Sequence, residues 1–135
     1  MANALFDKGR QAFLEGAIAW NTDSIKIVLI DAADYTVDLA NHQFLSDIPV
    51  AARVATSDAL ASKTSNAGVA DAADVTWPLV TGDQCEAIVI FQDTGSAATS
   101  RLIAYIDTAT GLPVTPNGGD ITVQFDNGSN KIFRL

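Results

Sequence analysis

The sequence has very few of the side chains on which most protein chemistry depends. Its 135 residues include one cysteine, one histidine and one methionine. A lone cysteine excludes a disulfide framework within the chain, and this supply of ligands excludes a His/Cys metal cluster. No apolar run approaches the roughly 18 residues of a membrane span. The N-terminus lacks the basic and apolar regions of a signal peptide, so we expect synthesis in the cytoplasm.

Basic residues are also scarce. The chain has 8 lysines and arginines against 16 acidic residues, which gives a formal net charge of -8. This charge repels phosphate backbones and anionic lipids, so we expect neither a nucleic-acid partner nor a membrane partner. Only Glu15 and Glu86 are glutamates, and the other acidic residues are aspartates. Because aspartate favours turns and caps rather than helix interiors, the composition indicates a loop-rich protein.

The pattern along the chain predicts an all-β domain. With 48% hydrophobic and 18% charged residues, the chain can form one folded domain over residues 1–135. Short strand-like runs separated by turn residues lie at 25–30, 53–57, 75–79, 86–92, 101–107, 120–125 and 131–135. Residues 126–130 are a strong hairpin signal between the last two runs. Since no long helical stretch follows residue 50, we expect an antiparallel β-sandwich or jelly roll.

Residues 1–16 are expected to form a short N-terminal helix or arm. Asn3 is a plausible N-cap, Asp7 lies in an early turn, and Gly16 suits the left-handed position after the helix. Gly9 weakens the helix by about 1 kcal/mol relative to alanine, so the helix needs a packing partner. Another helical turn is expected at 42–45, within an otherwise irregular stretch from 35 to 49.

The apolar face of this helix is the first candidate contact surface. Phe6 and Phe13 are seven residues apart, which places them on one helical face, and Leu14 flanks that face. The face has two possible uses. It packs against a neighbouring molecule, or it covers the domain's own sheet.

The sequence offers no recognisable catalytic machinery. His42 is the only histidine, it lies in no known motif, and we interpret it as a surface or loop-capping imidazole. Cys85 enters an apolar strand, so we interpret it as a small buried residue rather than a reactive thiol. There is no Gly-x-Ser-x-Gly elbow and no phosphate-binding glycine loop. We therefore predict no enzyme activity, no catalytic residue and no cofactor.

Two other groups of residues suggest weaker alternatives. The loops 31–38 and 117–120 contain oxygen ligands suited to calcium, but neither fits the twelve-residue calcium-loop template, so no metal site is predicted. Trp20 and Trp77 can pack in the core, contact another subunit or stack against a sugar, and packing is the favoured interpretation. The Trp77-Pro78 pair suits the end of an edge strand.

Several segments together resemble a family of small virion structural proteins of tailed bacteriophages. The resemblance spans nearly the whole chain and rests on FDKGR (6–10), FLEG (13–16), KIVLID (26–31), FLSDIP (44–49), ADAADVT (70–76), LIAYID (102–107), TGLPVTPNGGD (110–120) and NKIFRL (130–135). The family has no catalytic motif to carry over. The resemblance implies a head decoration, or cement, protein that binds the assembled major capsid protein lattice and forms a dimer or trimer.

On this interpretation the partner-binding residues are Phe6, Phe13, Leu14 and Trp77, and the protein is located on the capsid surface of the virion. A cement protein needs a rigid body, a segment that holds a neighbour, and charge that keeps free copies soluble. The alternatives are a tail or neck component, and a glycan-binding module that uses Trp20 or Trp77 as its stacking surface.

Overall fold

A computed structural model describes residues 4–107, 111–124 and 132–134. Over these residues the chain forms one α-helix and nine short strands, with three single turns of 3-10 helix. The elements are β1 (Ala4–Leu5), α1 (Asp7–Leu14), β2 (Ile25–Ile30), β3 (Arg53–Thr56), β4 (Val69–Ala70), β5 (Val75–Trp77), β6 (Ala87–Gln92), β7 (Leu102–Ile106), β8 (Ile121–Val123) and β9 (Phe133–Arg134). The 3-10 turns are Leu45–Asp47, Val50–Ala52 and Asn66–Gly68.

The largest unit is a five-stranded antiparallel sheet, here called the main sheet. Its strand order is β1-β7-β6-β2-β3. The longest register joins β2 to β6, from Ile25 opposite Gln92 to Ile30 opposite Ala87. Two ribbons complete the described strands, with β4 paired to β9 and β5 paired to β8. The fold is therefore all-β, antiparallel and sandwich-like with a short N-terminal helix, as the sequence predicts.

Both faces of the main sheet are buried, because alternate residues of each strand point in opposite directions. The face towards the two ribbons forms the inner cluster, whose members include Ile25, Ile27, Leu29, Ile88, Ile90, Val75, Trp77, Ile121 and Val123. The opposite face forms the outer cluster, which includes Val28, Ile30, Val89, Phe91 and Tyr105 and is covered by Phe6, Tyr35, Leu45 and Ile48. The predicted strand at residues 25–30 is confirmed.

The N-terminal helix begins later than the sequence predicts. Asn3 lies outside the described residues, and the next two residues form β1 against β7. Phe6 then occupies the N-cap position with an extended backbone, and its backbone N–H donates to the Ile103 carbonyl at 2.9 Å. Pairing with β7 therefore overrides the local helix signal at this end. The expectation that Phe6 and Phe13 share a helical face is wrong, because Phe6 precedes the helix and lies in the outer cluster while Phe13 packs against the inner cluster.

Gly9 and Gly16 each occupy a position that favours glycine, but for different structural reasons. A Cβ atom at Gly9 would lie 2.6 Å from the Leu102 carbonyl oxygen, so only glycine lets α1 approach β7 this closely. Gly16 has a φ of +76° after the helix, as predicted. The Gly16 N–H donates to the Phe13 carbonyl and the Ala17 N–H to the Ala12 carbonyl, which is the Schellman arrangement.

The described strands overlap every strand that the sequence predicts, usually with shorter bounds. The sequence does not predict β1 or β4, each of which has two residues. The helical turn expected at 42–45 is found as a 3-10 turn that starts at Leu45. The hairpin turn 126–130 lies outside the described residues, as do parts of the two runs beside it. Of those runs, 121–123 pairs with β5 and 133–134 pairs with β4.

Candidate functional site

Two of the four predicted contact residues lie inside the domain. Phe6 has no exposed surface, and Trp77 is 2% exposed within the inner cluster. Each fills space next to the main sheet, so neither side chain is available to a partner in this conformation. The prediction that these two residues contact a partner is corrected accordingly, and the alternative that the N-terminal segment covers the domain's own sheet holds for Phe6.

The two tryptophans also lack the surface that a sugar needs. Trp20 is 6% exposed, and its indole N–H donates to the Asp71 carbonyl at 3.3 Å. Trp77 is more deeply buried, and its indole N–H has no hydrogen-bond partner among the described residues. A stacking platform needs an open ring face, and neither ring provides one. Packing, the favoured interpretation for these residues, is confirmed for both.

The other two predicted residues meet at the C-terminal end of α1. Leu14 is 89% exposed, whereas Phe13 is partly buried against Phe133, with ring centroids 6.1 Å apart. The ring of Phe133 in turn packs edge-on against Trp20 at 5.3 Å. We call Phe13, Leu14 and Phe133 the helix-end surface. Its two aromatic rings pack against the inner cluster, while the Leu14 side chain extends into solvent.

Two further large apolar side chains are exposed in the described part of the chain. Val50 lies in a 3-10 turn on the side of the outer cluster, and Leu79 follows β5; each is 75% exposed. Leu79 has a φ of +52°, and its backbone N–H donates to Asp120 at 3.2 Å. Of the three exposed apolar residues, only Leu14 comes from the segment that the sequence singles out.

Aspartates gather in one place that the sequence does not predict. Carboxylate oxygens of Asp31, Asp34 and Asp83 all lie within 4.8 Å of one another. Asp31 is buried and accepts a hydrogen bond from the Ala33 N–H at 2.9 Å, which is a local turn contact. The group combines two residues of the predicted loop 31–38 with Asp83 from a distant loop, and Asp38 is not part of it. Sequence spacing gives no signal for such a meeting of two loops.

The only cysteine and the only histidine of the chain lie in different environments. Cys85 is buried in the inner cluster, and burial raises the pKa of its thiol to about 11, with Glu86, Asp31 and Asp83 adding to the rise. A thiol in this state is a poor nucleophile. His42 instead contacts Tyr35 of the outer cluster. The interpretations of Cys85 as a buried residue and of His42 as a surface or loop-capping imidazole are confirmed, and the two side chains do not form a nucleophile–base pair.

One shallow groove lies between residues 58–61 and 73–76. Its volume is about 140 Å³, and it is lined by Asp58, Ala59, Leu60, Ala61, Ala73, Asp74, Val75 and Thr76. Neither wall carries a histidine, a cysteine or a basic side chain. Asp58 and Asp74 are the titratable residues of this lining.

Comparisons with protein families and with curated proteins found no relative of this chain. No family model matches this chain, and no curated protein matches it in sequence. None of the described helices has the length and apolar character needed to cross a bilayer. The sequence points to Phe13 and Leu14 as contact residues, and the structure leaves Leu14 exposed at the end of α1. We therefore take the helix-end surface as the candidate functional site.

Proposed function

We propose that this chain is a structural virion protein of a tailed bacteriophage, and specifically a capsid decoration protein. It binds the assembled lattice of the major capsid protein as a homo-oligomer and stabilises the shell without catalysing a reaction. The resemblance of the segments between residues 6 and 135 supports the assignment to a virion. The sandwich-like body, with both faces of its main sheet covered, supports a role as a rigid spacer or clamp.

The observation that carries this proposal is the exposure of Leu14 on the helix-end surface. A leucine side chain that is 89% exposed gains about 1.5–3 kcal/mol when a partner covers it fully. This gain is available only to a molecule that docks at the end of α1. The net charge of -8 meanwhile keeps free copies apart until the lattice offers a complementary surface.

Binding of this kind stabilises a shell by mass action. A protein that binds the assembled lattice and not the separate subunits lowers the free energy of the assembled state by an amount that grows with its free concentration. Many weak contacts repeated over a lattice therefore have a large combined effect. No reacting group is needed, which is consistent with the environments of His42 and Cys85.

The experiment is co-sedimentation of the purified protein with capsid shells that lack it. The wild-type protein is expected to bind at a copy number comparable to that of the capsid subunit and to raise the temperature at which the shells open. Leu14→Ser is expected to weaken binding about tenfold or more, since 1.4 kcal/mol corresponds to a factor of ten. Val50→Ser is the matched control, because it removes an exposed apolar side chain outside the helix-end surface and should leave binding unchanged.

Three results would contradict the proposal. Shells that neither bind the wild-type protein nor gain heat resistance from it exclude the cement role. A handful of copies per particle would instead indicate the tail or neck component. Equal losses of binding in Leu14→Ser and Val50→Ser would show that the helix-end surface is not the docking site. The glycan-binding alternative has no support in the structure, because both tryptophans are buried.

A further inference from the structure

Leu79 is an exposed apolar side chain on a strained turn. Its φ of +52° lies in the left-handed region, which glycine and asparagine adopt more readily than leucine. The side chain is 75% exposed, so burial within the domain does not offset this strain. Isolated apolar residues are ordinary at a protein surface, but backbone strain of this kind is concentrated at functional sites. Leu79 therefore differs from Val50, which is equally exposed but has no positive φ.

Hydrogen bonds between residues 78–84 and 117–120, together called the Leu79 tip, hold this turn in place. The backbone N–H of Leu79 donates to the carboxylate of Asp120 at 3.2 Å. The next N–H, from Val80, donates to a backbone carbonyl of the second loop at 3.0 Å. Because these bonds already order the tip, a partner that covers the leucine has little loop entropy to remove.

The Leu79 tip is acidic. Its only charged residues are Asp83 and Asp120, and both are exposed. The stretch 64–130, to which the tip belongs, contains eight acidic residues and a single basic residue, Arg101. The guanidinium of Arg101 lies 5.6 Å from the centre of the Phe44 ring, in the segment that covers the outer cluster. The exposed leucine is therefore flanked by negative charge alone within this stretch.

The tip lies beside the β3 edge of the main sheet. A Cβ atom at Gly82 would be 3.3 Å from the Val54 side chain of β3. Arg53, the basic residue of that strand, pairs with Ile30 of the outer cluster, so its side chain points to the face away from the two ribbons. The helix that carries the helix-end surface packs on β7, three strands away at about 4.8 Å per strand. The two exposed leucines therefore belong to separate surfaces.

We propose that the Leu79 tip is a second docking surface, whose leucine enters an apolar recess bordered by lysine or arginine side chains on the capsid lattice. This second contact depends on the proposed function and adds to it. The recess gives Leu79 the apolar environment that it lacks in the free protein, and the flanking aspartates select a basic border. With two separate contact surfaces, one molecule holds two points of the lattice at once.

The test is co-sedimentation of tip variants with capsid shells that lack the protein. Leu79→Asn keeps a residue that tolerates the left-handed region but removes the apolar side chain, so binding is expected to weaken about tenfold. Leu79→Met keeps an apolar side chain of similar size and should bind as the wild type does. Leu79→Gly should lose as much binding as Leu79→Asn although it relieves the strain, so its loss does not come from unfolding. Val50→Ser is the control for an exposed apolar residue outside the tip.

Two charge reversals test the basic border of the recess. Asp83→Lys places a positive charge within the tip and is expected to weaken binding about fivefold or more, because like charges across an interface repel. Asp58→Lys makes the same change in net charge just after β3, outside the tip, and should weaken binding less than about twofold.

The outcomes separate this docking surface from the proposed function. Shells that do not bind the wild-type protein contradict both. If the wild type binds and Leu14→Ser weakens binding as expected, unchanged binding of Leu79→Asn overturns the second docking surface alone. Equal losses in Leu79→Met and Leu79→Asn would show that no apolar recess receives the side chain. Equal effects of the two charge reversals would show that its border is not basic.

Discussion

At the scale of single residues, Leu79 has an uncommon backbone conformation. Its φ of +52° lies in the left-handed region, which costs an L-residue other than glycine about 1–2 kcal/mol. The side chain is 75% exposed and therefore recovers little of this cost by burial. The backbone N–H is held by Asp120, and the next N–H, from Val80, donates to the Gly119 carbonyl at 3.0 Å. Hydrogen bonds between two loops thus maintain the strained residue.

Leu79→Gly is expected to raise the free energy of unfolding by about 0.5–1 kcal/mol. Glycine removes the left-handed strain, and this gain exceeds the extra freedom of glycine in the unfolded chain. Urea denaturation monitored by tryptophan fluorescence measures the change. Val50→Gly is the control, because Val50 has ordinary 3-10 geometry and should lose stability on the same substitution. A loss of stability in Leu79→Gly would show that the strain is not present.

Residue type and local sequence show for only some of the candidate residues whether the side chain is buried or exposed. Cys85 is buried, as its sequence context predicts, whereas the sequence leaves open whether Leu14 is exposed. The sequence around Trp77 does not predict whether this side chain is buried, because a tryptophan before a proline suits either a core or an exposed edge. Its burial depends on the β5–β8 ribbon closing over the main sheet, which is a long-range event that no local pattern records.

At the scale of elements, α1 depends on its close approach to β7. The approach requires the absence of a side chain at Gly9, because a Cβ atom there would come within 2.6 Å of the Leu102 carbonyl oxygen. Helix propensity favours alanine over glycine by about 1 kcal/mol. Sterics and propensity therefore act in opposite directions at this position, and a substitution shows which is larger.

Gly9→Ala is expected to lower the free energy of unfolding by about 1–3 kcal/mol, because the backbone of β7 cannot yield as a flexible side chain does. Gly16→Ala is the comparison. It meets no atom within 4 Å, so its expected loss of about 1 kcal/mol comes from the positive φ alone. Chemical denaturation of both variants measures these changes. An unchanged or raised stability in Gly9→Ala would mean that α1 does not pack tightly on β7.

Long strands are predictable from the sequence, whereas two-residue strands are not. Residues 25–30 carry a β-branched run that is sufficient to indicate a buried strand. Ala4–Leu5 and Val69–Ala70 are strands only because β7 and β9 lie beside them. The same reason explains the error at Phe6. A helical period places it with Phe13, but β1 delays the helix and sends the Phe6 side chain to the opposite face of the sheet.

At the scale of the whole molecule, several aspartates make the stability of the fold depend on pH in the acidic range. A backbone hydrogen bond from Gly95 lowers the pKa of Asp93, and so does Lys26, whose Nζ lies 3.0 Å from its carboxylate. The pKa of Asp38 and that of Asp47 are also lowered. A carboxyl group with a lowered pKa in the folded state contributes stability that is complete above its unfolded pKa, near 4, and is lost as the pH falls through its folded pKa.

Asp93→Asn is expected to reduce the loss of stability below pH 4. Asparagine can still accept the hydrogen bond from Gly95 but cannot be protonated in this range, and it gives up the partly exposed pair with Lys26, worth about 0.5–1 kcal/mol at neutral pH. Denaturation curves between pH 7 and pH 2.5 measure the effect. Asp58→Asn is the control, because the Asp58 carboxylate accepts no hydrogen bond from the described residues. Parallel pH profiles for wild type and Asp93→Asn would contradict the assignment.

The pairing of β1 and α1 with β7 also constrains the order in which the chain can fold. Roughly 90 residues separate the helix from the strand on which it rests, so this contact forms at a high cost in loop closure. On a ribosome, β1 and α1 emerge long before their edge of the sheet has been translated. Phe6 and Ala12 therefore remain in water during most of synthesis, and the N-terminal segment is set in place only when the C-terminal part of the nascent chain arrives.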